Sequence, residues 1–412
     1  MSDLSKKAQV YQLIRANPFI SQQELADALG LSRSAVAGHV AGLIRERRLL
    51  GRAYVLADSR PVMCIGAANL DRKLRTLAPL EMGTSNPASA HEVFGGVARN
   101  IAENLARLGS PVALLTVLGG DAAGQSLLAH AQQAGIDMSA SLHLPHAASG
   151  TYTALLDARG ELVLALADMQ LYETLTPRVL ASRQRQRDAA GLTVADLNLP
   201  RDGVATLLAD AARDGMPLVL VAVSQPKMAH LPLDLNGLRL LILNRGELEA
   251  RAGRALPGPQ QMGEAGAALL RQGARQLIIT CGADGVYYME HGEHLRHLPA
   301  PALEPAELVD VTGAGDAFAA AVCWSLYRDG AGVGVEVASG SAAGGAAGGA
   351  ESDLARACRC GLALATLTVR SAATVAPRLA PGALGAVYGA HGARRTSVPQ
   401  ADPPHSAQLF QD

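Results

Sequence analysis

What this chain lacks narrows its chemistry first. No apolar run is long enough to span a bilayer, and Lys6 and Lys7 near the N-terminus have no apolar stretch behind them, so neither a membrane span nor a secretory leader is expected. Cysteine is scarce. The five thiols, Cys64, Cys281, Cys323, Cys358 and Cys360, are odd in number and fall mostly among apolar neighbours. This pattern speaks against a disulfide framework and suits reduced thiols in the cytoplasm. Cys358-Arg359-Cys360 lacks the two-residue gap of a redox or zinc pair, and His291, His294 and His297 have no fourth ligand nearby in the sequence. A net charge of −1 argues against a protein that coats nucleic acid along its whole length.

The charge that is present is unevenly placed. Before Pro61 there are nine Lys and Arg against five acids, a balance of +4 that leaves the remainder of the 412 residues at −5. A chain of this length with 49% hydrophobic residues is expected to hold two or three domains, and the basic segment reads as an appended nucleic-acid module over residues 1–59. Val10, Leu13 and Ile14 share one helical face. Ser21-Gln22-Gln23-Glu24 is a capping box, Gly30 breaks the second helix, and Ser32 caps a third with Val36, Val40 and Leu43 inward. Arg33, Ser34 and His39 then face outward, and Arg47 to Leu56 has the pattern of a strand-turn-strand wing carrying Arg52. This is helix-turn-helix spacing, with DNA as the expected partner through Arg33, Ser34, His39 and Arg52. A bundle used only for dimerisation is the competing reading.

From residue 60 strands alternate with helices, the pattern of an α/β fold built on a mainly parallel sheet. Such sheets bind ligands beyond the C-terminal ends of their strands. There the sequence places Asn69 and Asp71 after Val62–Ile65, Asn198 at the end of the strand Leu192–Asn198, Asn244 and Glu247 after Leu240–Leu243, and Thr280, Gly282 and Gly285 after Leu277–Ile279. Gly95-Gly96 lets backbone lie against a sugar, and Asn100 can donate and accept at vicinal hydroxyls. Asn244 and Glu247 have hard-ligand spacing, although a helix cap would use the same pair. Residues 72–94 lack a helical period and 151–168 read as a hairpin, together a β lid over the sugar site. Residues 330–353, nearly all Gly, Ala, Ser and Val, read as a flexible insert, and 382–412 as a disordered tail.

The segment Val309 to Phe318 organises the rest. Gly313, Ala314 and Gly315 gather backbone N–H groups at a helix start, where the dipole favours an anion. A carboxylate beside such an anion hole is a poor phosphate ligand but a good general base, so Asp316 is expected to take the proton of an attacking hydroxyl.

With these pieces in order, residues 60–381 resemble the ribokinase-like sugar kinases, the PfkB family. The likeness rests on Gly95-Gly96 with Asn100, on Asn244-x-x-Glu247, and on Asp310-Val311-Thr312-Gly313-Ala314-Gly315-Asp316. The resemblance implies a three-layer ribokinase-like fold and ATP- and Mg2+-dependent phosphorylation of a primary hydroxyl. Asp316 would be the base, and Asn69, Asp71, Gly95, Gly96 and Asn100 the sugar ligands. Asn244, Thr280, Gly282, Gly285 and Thr312 would sit at the nucleotide, Asn244 and Glu247 would order magnesium through water, and Asp310 is the candidate contact for K+. A homodimer is the expected assembly. Thr84-Ser85-Asn86-Pro87, Gly96 to Ala106 and Val194 to Asn198 resemble the pseudouridine kinase branch of the family, which makes Asn86, Asp168 and Asn198 candidate base ligands. Another sugar or nucleoside, or a regulator using the fold as a ligand sensor, are the alternatives.

Overall fold

The computed structural model describes residues 5–16, 20–49, 60–331 and 352–389. The first unit is three helices, α1 (Lys6–Ala16), α2 (Gln22–Leu29) and α3 (Arg33–Arg45). The Ser21–Glu24 capping box forms in both directions, Gly30 ends α2 in the left-handed conformation, and the Ser32 hydroxyl accepts from the Ala35 amide. Val10, Ile14, Leu25, Val36, Val40 and Leu43 close a small separate core. Arg33 and Ser34 remain exposed and His39 half-exposed on α3. Arg52 and the rest of the expected wing beyond Leu49 lie outside the described residues.

Two arginines at the start of the expected wing make contacts within the protein. Arg48 lies over the Tyr11 ring, 3.9 Å from its centroid. Arg47 takes a left-handed backbone (φ 58°) and reaches the large domain, bonding Asp188 at 2.8 Å and Asp214 at 3.3 Å.

The large domain is built on strands β1 (Val62–Ile65), β4 (Val112–Leu115), β9 (Leu192–Asp196), β10 (Leu218–Val221), β11 (Leu238–Asn244) and β12 (Gln276–Thr280), all parallel. Two antiparallel strands, β13 (Val286–Glu290) and β14 (Arg296–Leu298), complete one edge of an eight-stranded sheet ordered β14-β13-β12-β11-β10-β9-β1-β4. Both faces of the central strands are buried, because successive side chains alternate between two helical layers. Val62 and Cys64 face α4 (Val97–Arg107), α11 (Ala314–Ala331) and α12 (Asp353–Thr368), whereas Met63 and Ile65 join the layer with α8 (Arg201–Asp214), α9 (Arg245–Ala252) and α10 (Pro259–Arg271). A parallel pair, β5 (Val117–Gly119) and β6 (Leu142–Leu144), flanks α5 (Ala122–Gln133), and two short helices, α6 (Pro177–Ser182) and α7 (Gln184–Asp188), lead into β9.

The lid is a four-stranded sheet ordered β3-β2-β7-β8: β2 (Asn69–Thr76), β3 (Ala88–Gly95), β7 (Thr151–Leu156) and β8 (Leu162–Asp168). It grows directly out of β1, so that β2 carries Asn69 and Asp71 from the sheet edge into the lid. His297 at the β13–β14 hairpin is engaged by the Asp284 carbonyl at 2.6 Å and by the Tyr287 ring.

Two boundaries differ from the sequence reading. Gly330 and Ala331 belong to α11, and Ser352 caps α12, so the expected insert narrows to 332–351, outside the described residues. The expected disordered tail begins with ordered structure. Leu384 is buried, α13 (Gly385–Gly389) follows, and the Tyr388 hydroxyl donates to Asp329 at 2.6 Å while its ring meets Trp324 edge-on. One aromatic anchor supplied enough burial to hold a segment whose glycine and alanine content reads as loose. Among the described residues no helix is long and apolar enough to cross a membrane.

Candidate active site

The C-terminal ends of β1, β9, β11 and β12 converge, and a buried carboxylate fixes the first two. Asp196 accepts from the amides of Ala67 (3.0 Å), Ala98 (2.9 Å) and Asn198 (2.8 Å), tying the end of β9 to the turn after β1 and to the start of α4. A Cβ at Gly66 would lie 2.3 Å from that carboxylate, so only glycine lets the chain pass. Gly96, at φ 95°, caps α4 with its Cα against the Ala67 carbonyl, where a Cβ would come within 2.4 Å. The Gly-Gly motif is therefore a close approach of backbone to the Ala67 carbonyl and the Asp71 carboxylate.

Four expected sugar ligands meet here. Asn69 is buried and donates to Asp71 at 2.6 Å, and the Asp71 carboxylate crosses Gly95 where a side chain would stand. Burial pushes the Asp71 carboxyl up, against the opposing pull of Asn69, Arg99 and Lys73. Asn100, on the first turn of α4, donates through Nδ2 to Asp316 Oδ2 at 2.6 Å. Its Oδ1 is buried with no hydrogen-bond partner among the described residues. A buried acceptor without a donor is costly, and a substrate hydroxyl would satisfy it.

Asp316 lies in the first turn of α11 and keeps part of its surface open. Burial raises its carboxyl to about 7. The Asn100 bond and the Arg99 charge oppose that rise, and Asp196 and Asp71 add to it. A base poised near neutrality combines a useful ionised fraction with a real appetite for a proton.

Beside it, Gly313 turns at φ 80° against the Thr374 carbonyl, 2.2 Å from where a Cβ would sit. The first turn of a helix leaves N–H groups without intrahelical acceptors. Of the three expected donors, the Ala314 amide closes a turn to the Val311 carbonyl at 3.2 Å. Upstream, Asp310 Oδ1 accepts both the Thr312 amide (2.8 Å) and hydroxyl (2.7 Å), while Oδ2 holds the ammonium of Lys73 at 2.7 Å. Partial burial pushes the Asp310 carboxyl up, but these donors outweigh it and hold it below the usual range.

Farther along the sheet Asn244 and Thr280 are neighbours in register at the ends of β11 and β12. Asn244 and Glu247 form a reciprocal cap of α9 (2.7 and 2.9 Å), so the helix-cap reading is realised in their hydrogen bonds; burial of Glu247 raises its carboxyl. Gly282 and Gly285 have positive φ, and Gly285 abuts the Leu298 carbonyl.

Three expected base ligands are not gathered as one set. Asn86 engages its amide with the Glu81 and Thr84 backbone of its own lid loop at 2.8 to 3.1 Å, which gives it a loop-shaping job instead. Asp168 is exposed at the end of β8, in register with Thr151. Asn198 is buried against Asp196. Sequence reasoning also missed Asp196, Arg99, Lys73 and Thr374. The signal for Lys73 was available, since Asn69, Asp71 and Lys73 alternate onto one face of a strand.

Comparisons with known proteins agree with this geometry. The chain is 33% identical to the uncharacterized sugar kinase YeiI of Escherichia coli (strain K12) over 342 residues, covering 81% of this chain and 92% of that protein. It is 35% identical to the pseudouridine kinase of the same organism over 266 residues, 64% of this chain and 83% of that one. The structure of Arabidopsis thaliana ribokinase complexed with ribose and ATP superposes with a TM-score of 0.63 at 18% identity, covering 80% of this chain and 99% of that chain. Residues 59–380 match the pfkB family carbohydrate kinase model, and residues 6–46 match a winged helix-turn-helix DNA-binding model. The chain belongs to the pfkB family of carbohydrate kinases, its ribokinase-like kinase domain preceded by a winged helix-turn-helix domain.

Proposed function

We propose that this kinase transfers the γ-phosphoryl group of ATP to the 5′-hydroxyl of a nucleoside, with pseudouridine as the substrate. The observation that carries the transfer is the Asn100–Asp316 pair: a carboxyl tuned to about 7 beside a buried, donorless acceptor, at the mouth of α11. A sugar hydroxyl satisfying Asn100 would stand where Asp316 can take its proton and where the amides of Gly313 and Gly315 can hold phosphate charge. Asn69 and Asp71 would bind the neighbouring ribose hydroxyls, and the β lid would exclude water, which competes with the hydroxyl for phosphate. ATP would lie along the ends of β11 and β12 near Thr280, Gly282 and Gly285. Magnesium neutralises phosphate charge in such reactions, and Asn244 and Glu247 are the residues that would order it through water.

Pseudouridine is favoured by the relative of that name at 35% identity and by the strings at Thr84–Pro87 and Gly96–Ala106 that it was read from. A panel of pseudouridine, uridine, adenosine and ribose under MgATP tests it. Pseudouridine should lead in kcat/KM by about tenfold or more, the discrimination that one lost buried hydrogen bond produces. Preference for adenosine or ribose would remove the pseudouridine assignment and leave the kinase.

We also propose that the N-terminal domain binds DNA through the exposed face of α3 carrying Arg33, Ser34 and His39. Binding of the full chain to random-sequence duplex should weaken by about tenfold or more between 50 and 200 mM salt, as counterions released by each phosphate contact are recaptured. Binding indifferent to salt, or unchanged in Arg33→Ala, would return this domain to a dimerisation role.

A further inference from the structure

The loop before the anion hole carries the carboxylate that was the candidate seat for potassium, and its observed surroundings do not suit a second cation. Asp310 Oδ1 already accepts two hydrogen bonds from Thr312, and Oδ2 holds the Lys73 ammonium at 2.7 Å. The same ammonium stands 3.4 Å from the Thr312 hydroxyl. A potassium ion at this carboxylate would sit beside a fixed positive charge, and in a partly buried setting such like charges are weakly screened.

The lysine is not a chance surface partner. It belongs to β2, a strand paired on both sides, with Lys73 opposite His91 of β3 and Ala154 of β7. Its side chain shares a strand face with Asn69 and Asp71, four and two residues earlier. One rigid strand therefore presents two sugar-site groups and, next along, a cation to the phosphate loop. Resting on the kinase reading above, we propose that the Lys73 ammonium is a built-in replacement for a monovalent cation at Asp310, which latches the lid to the anion-hole loop and makes phosphoryl transfer by this chain independent of potassium. The ammonium orders Asp310, Asp310 orders Thr312, and Thr312 leads directly into Gly313.

The test compares the wild type, Lys73→Met and Lys73→Arg under MgATP in potassium chloride and in tetramethylammonium chloride of equal ionic strength. Wild-type rates should agree within about twofold between the salts. Lys73→Met should lose about tenfold or more in tetramethylammonium and recover most of it in potassium, which is now free to occupy the carboxylate. Lys73→Arg, which keeps a cation on the same strand, should remain indifferent to the salt. A wild-type rate that rises about tenfold with potassium, a Lys73→Met enzyme as active as wild type without it, or a loss that potassium does not repair would each overturn the proposal. Melting temperatures without substrate give an independent reading: potassium over tetramethylammonium should stabilise Lys73→Met and not the wild type, and the absence of that contrast also counts against the replacement. If the wild type turns over no sugar or nucleoside in either salt, the kinase reading fails, while the melting contrast still decides the role of the lysine.

Discussion

Asp316→Asn is expected to lose about three orders of magnitude or more in kcat while binding nucleoside with near wild-type affinity. The substitution keeps the size of the side chain and an oxygen that can still accept from Asn100 Nδ2, leaving Asn100 Oδ1 for the substrate hydroxyl. What it removes is the proton acceptor. Steady-state rates with MgATP and calorimetric binding of the nucleoside separate the two quantities, and near-normal turnover would remove Asp316 from the role of base. The pH dependence carries the same signature. With the carboxyl raised to about 7, kcat/KM of the wild type should climb with pH up to that value and level above it, as the ionised fraction saturates.

The same shift has a consequence for stability whose sign is opposite to that of an ordinary ion-paired carboxylate. Because the folded protein holds the Asp316 proton more tightly than the unfolded chain does, ionisation weakens the fold. Stability contributed at low pH is lost as pH rises from the usual carboxylate value of 3.8 towards about 7, and nothing further is lost above it. Asparagine carries no charge to desolvate, so the variant should melt no lower than the wild type at pH 8. Activity and stability pull apart at this position, which is what a base held in a partly desolvated site entails.

The legible parts of the molecule were those where one local rule suffices. The capping boxes at Ser21 and Asn244, the left-handed Gly30, the buried strand at Val62–Ile65 and the hairpin turning at Asp157–Gly160 each follow from a few consecutive residues. The clustering of Asn69, Asp71, Gly95 and Asn100 with Asp316 was legible because glycine marks close backbone approach and a strand-end polar residue marks a sheet edge. Asp196 and Arg99 were hidden because their partners are distant in sequence: Asp196 is 129 residues from Ala67, and Arg99 reaches Thr374 across 275. A charged residue inside an apolar helix pattern looks like a solvated face until the fold closes over it. Asn86 misled for the converse reason, since a polar residue near a substrate motif can satisfy itself within its own loop.

Arg99 is where that hidden network should show its largest effect. Its guanidinium is buried beneath the Gly-Gly motif, donating to the carbonyls of Gly95 and Phe94 at 2.8 Å each, reaching the Thr374 hydroxyl at 3.5 Å and pairing with Glu103. Thr374 in turn bonds Phe94 and packs its carbonyl on Gly313, so one side chain joins the Gly95-Gly96 loop to the Gly313 turn. Glu103 also takes Arg107 at 2.7 Å and His130 at 3.0 Å. Burial pushes its carboxyl up, and the Arg99 charge with the hydrogen bonds from His130 and Arg107 holds it below the usual range. Arg99→Met leaves a buried carboxylate short of its best partner and takes the guanidinium donor from the Gly95 and Phe94 carbonyls, Phe94 keeping only Thr374, a loss of about 3–5 kcal/mol in unfolding free energy. Removing both charges in Arg99→Met/Glu103→Leu should recover much of that loss, because an apolar pair no longer strands a buried charge. The readout that separates positioning from mere stability is the pH profile. Without the Arg99 charge the Asp316 carboxyl rises further, and the acid limb of kcat/KM moves to higher pH in both Met variants. Arg99→Lys, which restores the charge without the planar fork, should destabilise the fold yet leave the limb near the wild-type position. A limb unmoved by removal of the charge would mean that Arg99 only braces the backbone and does not set the proton affinity of the base.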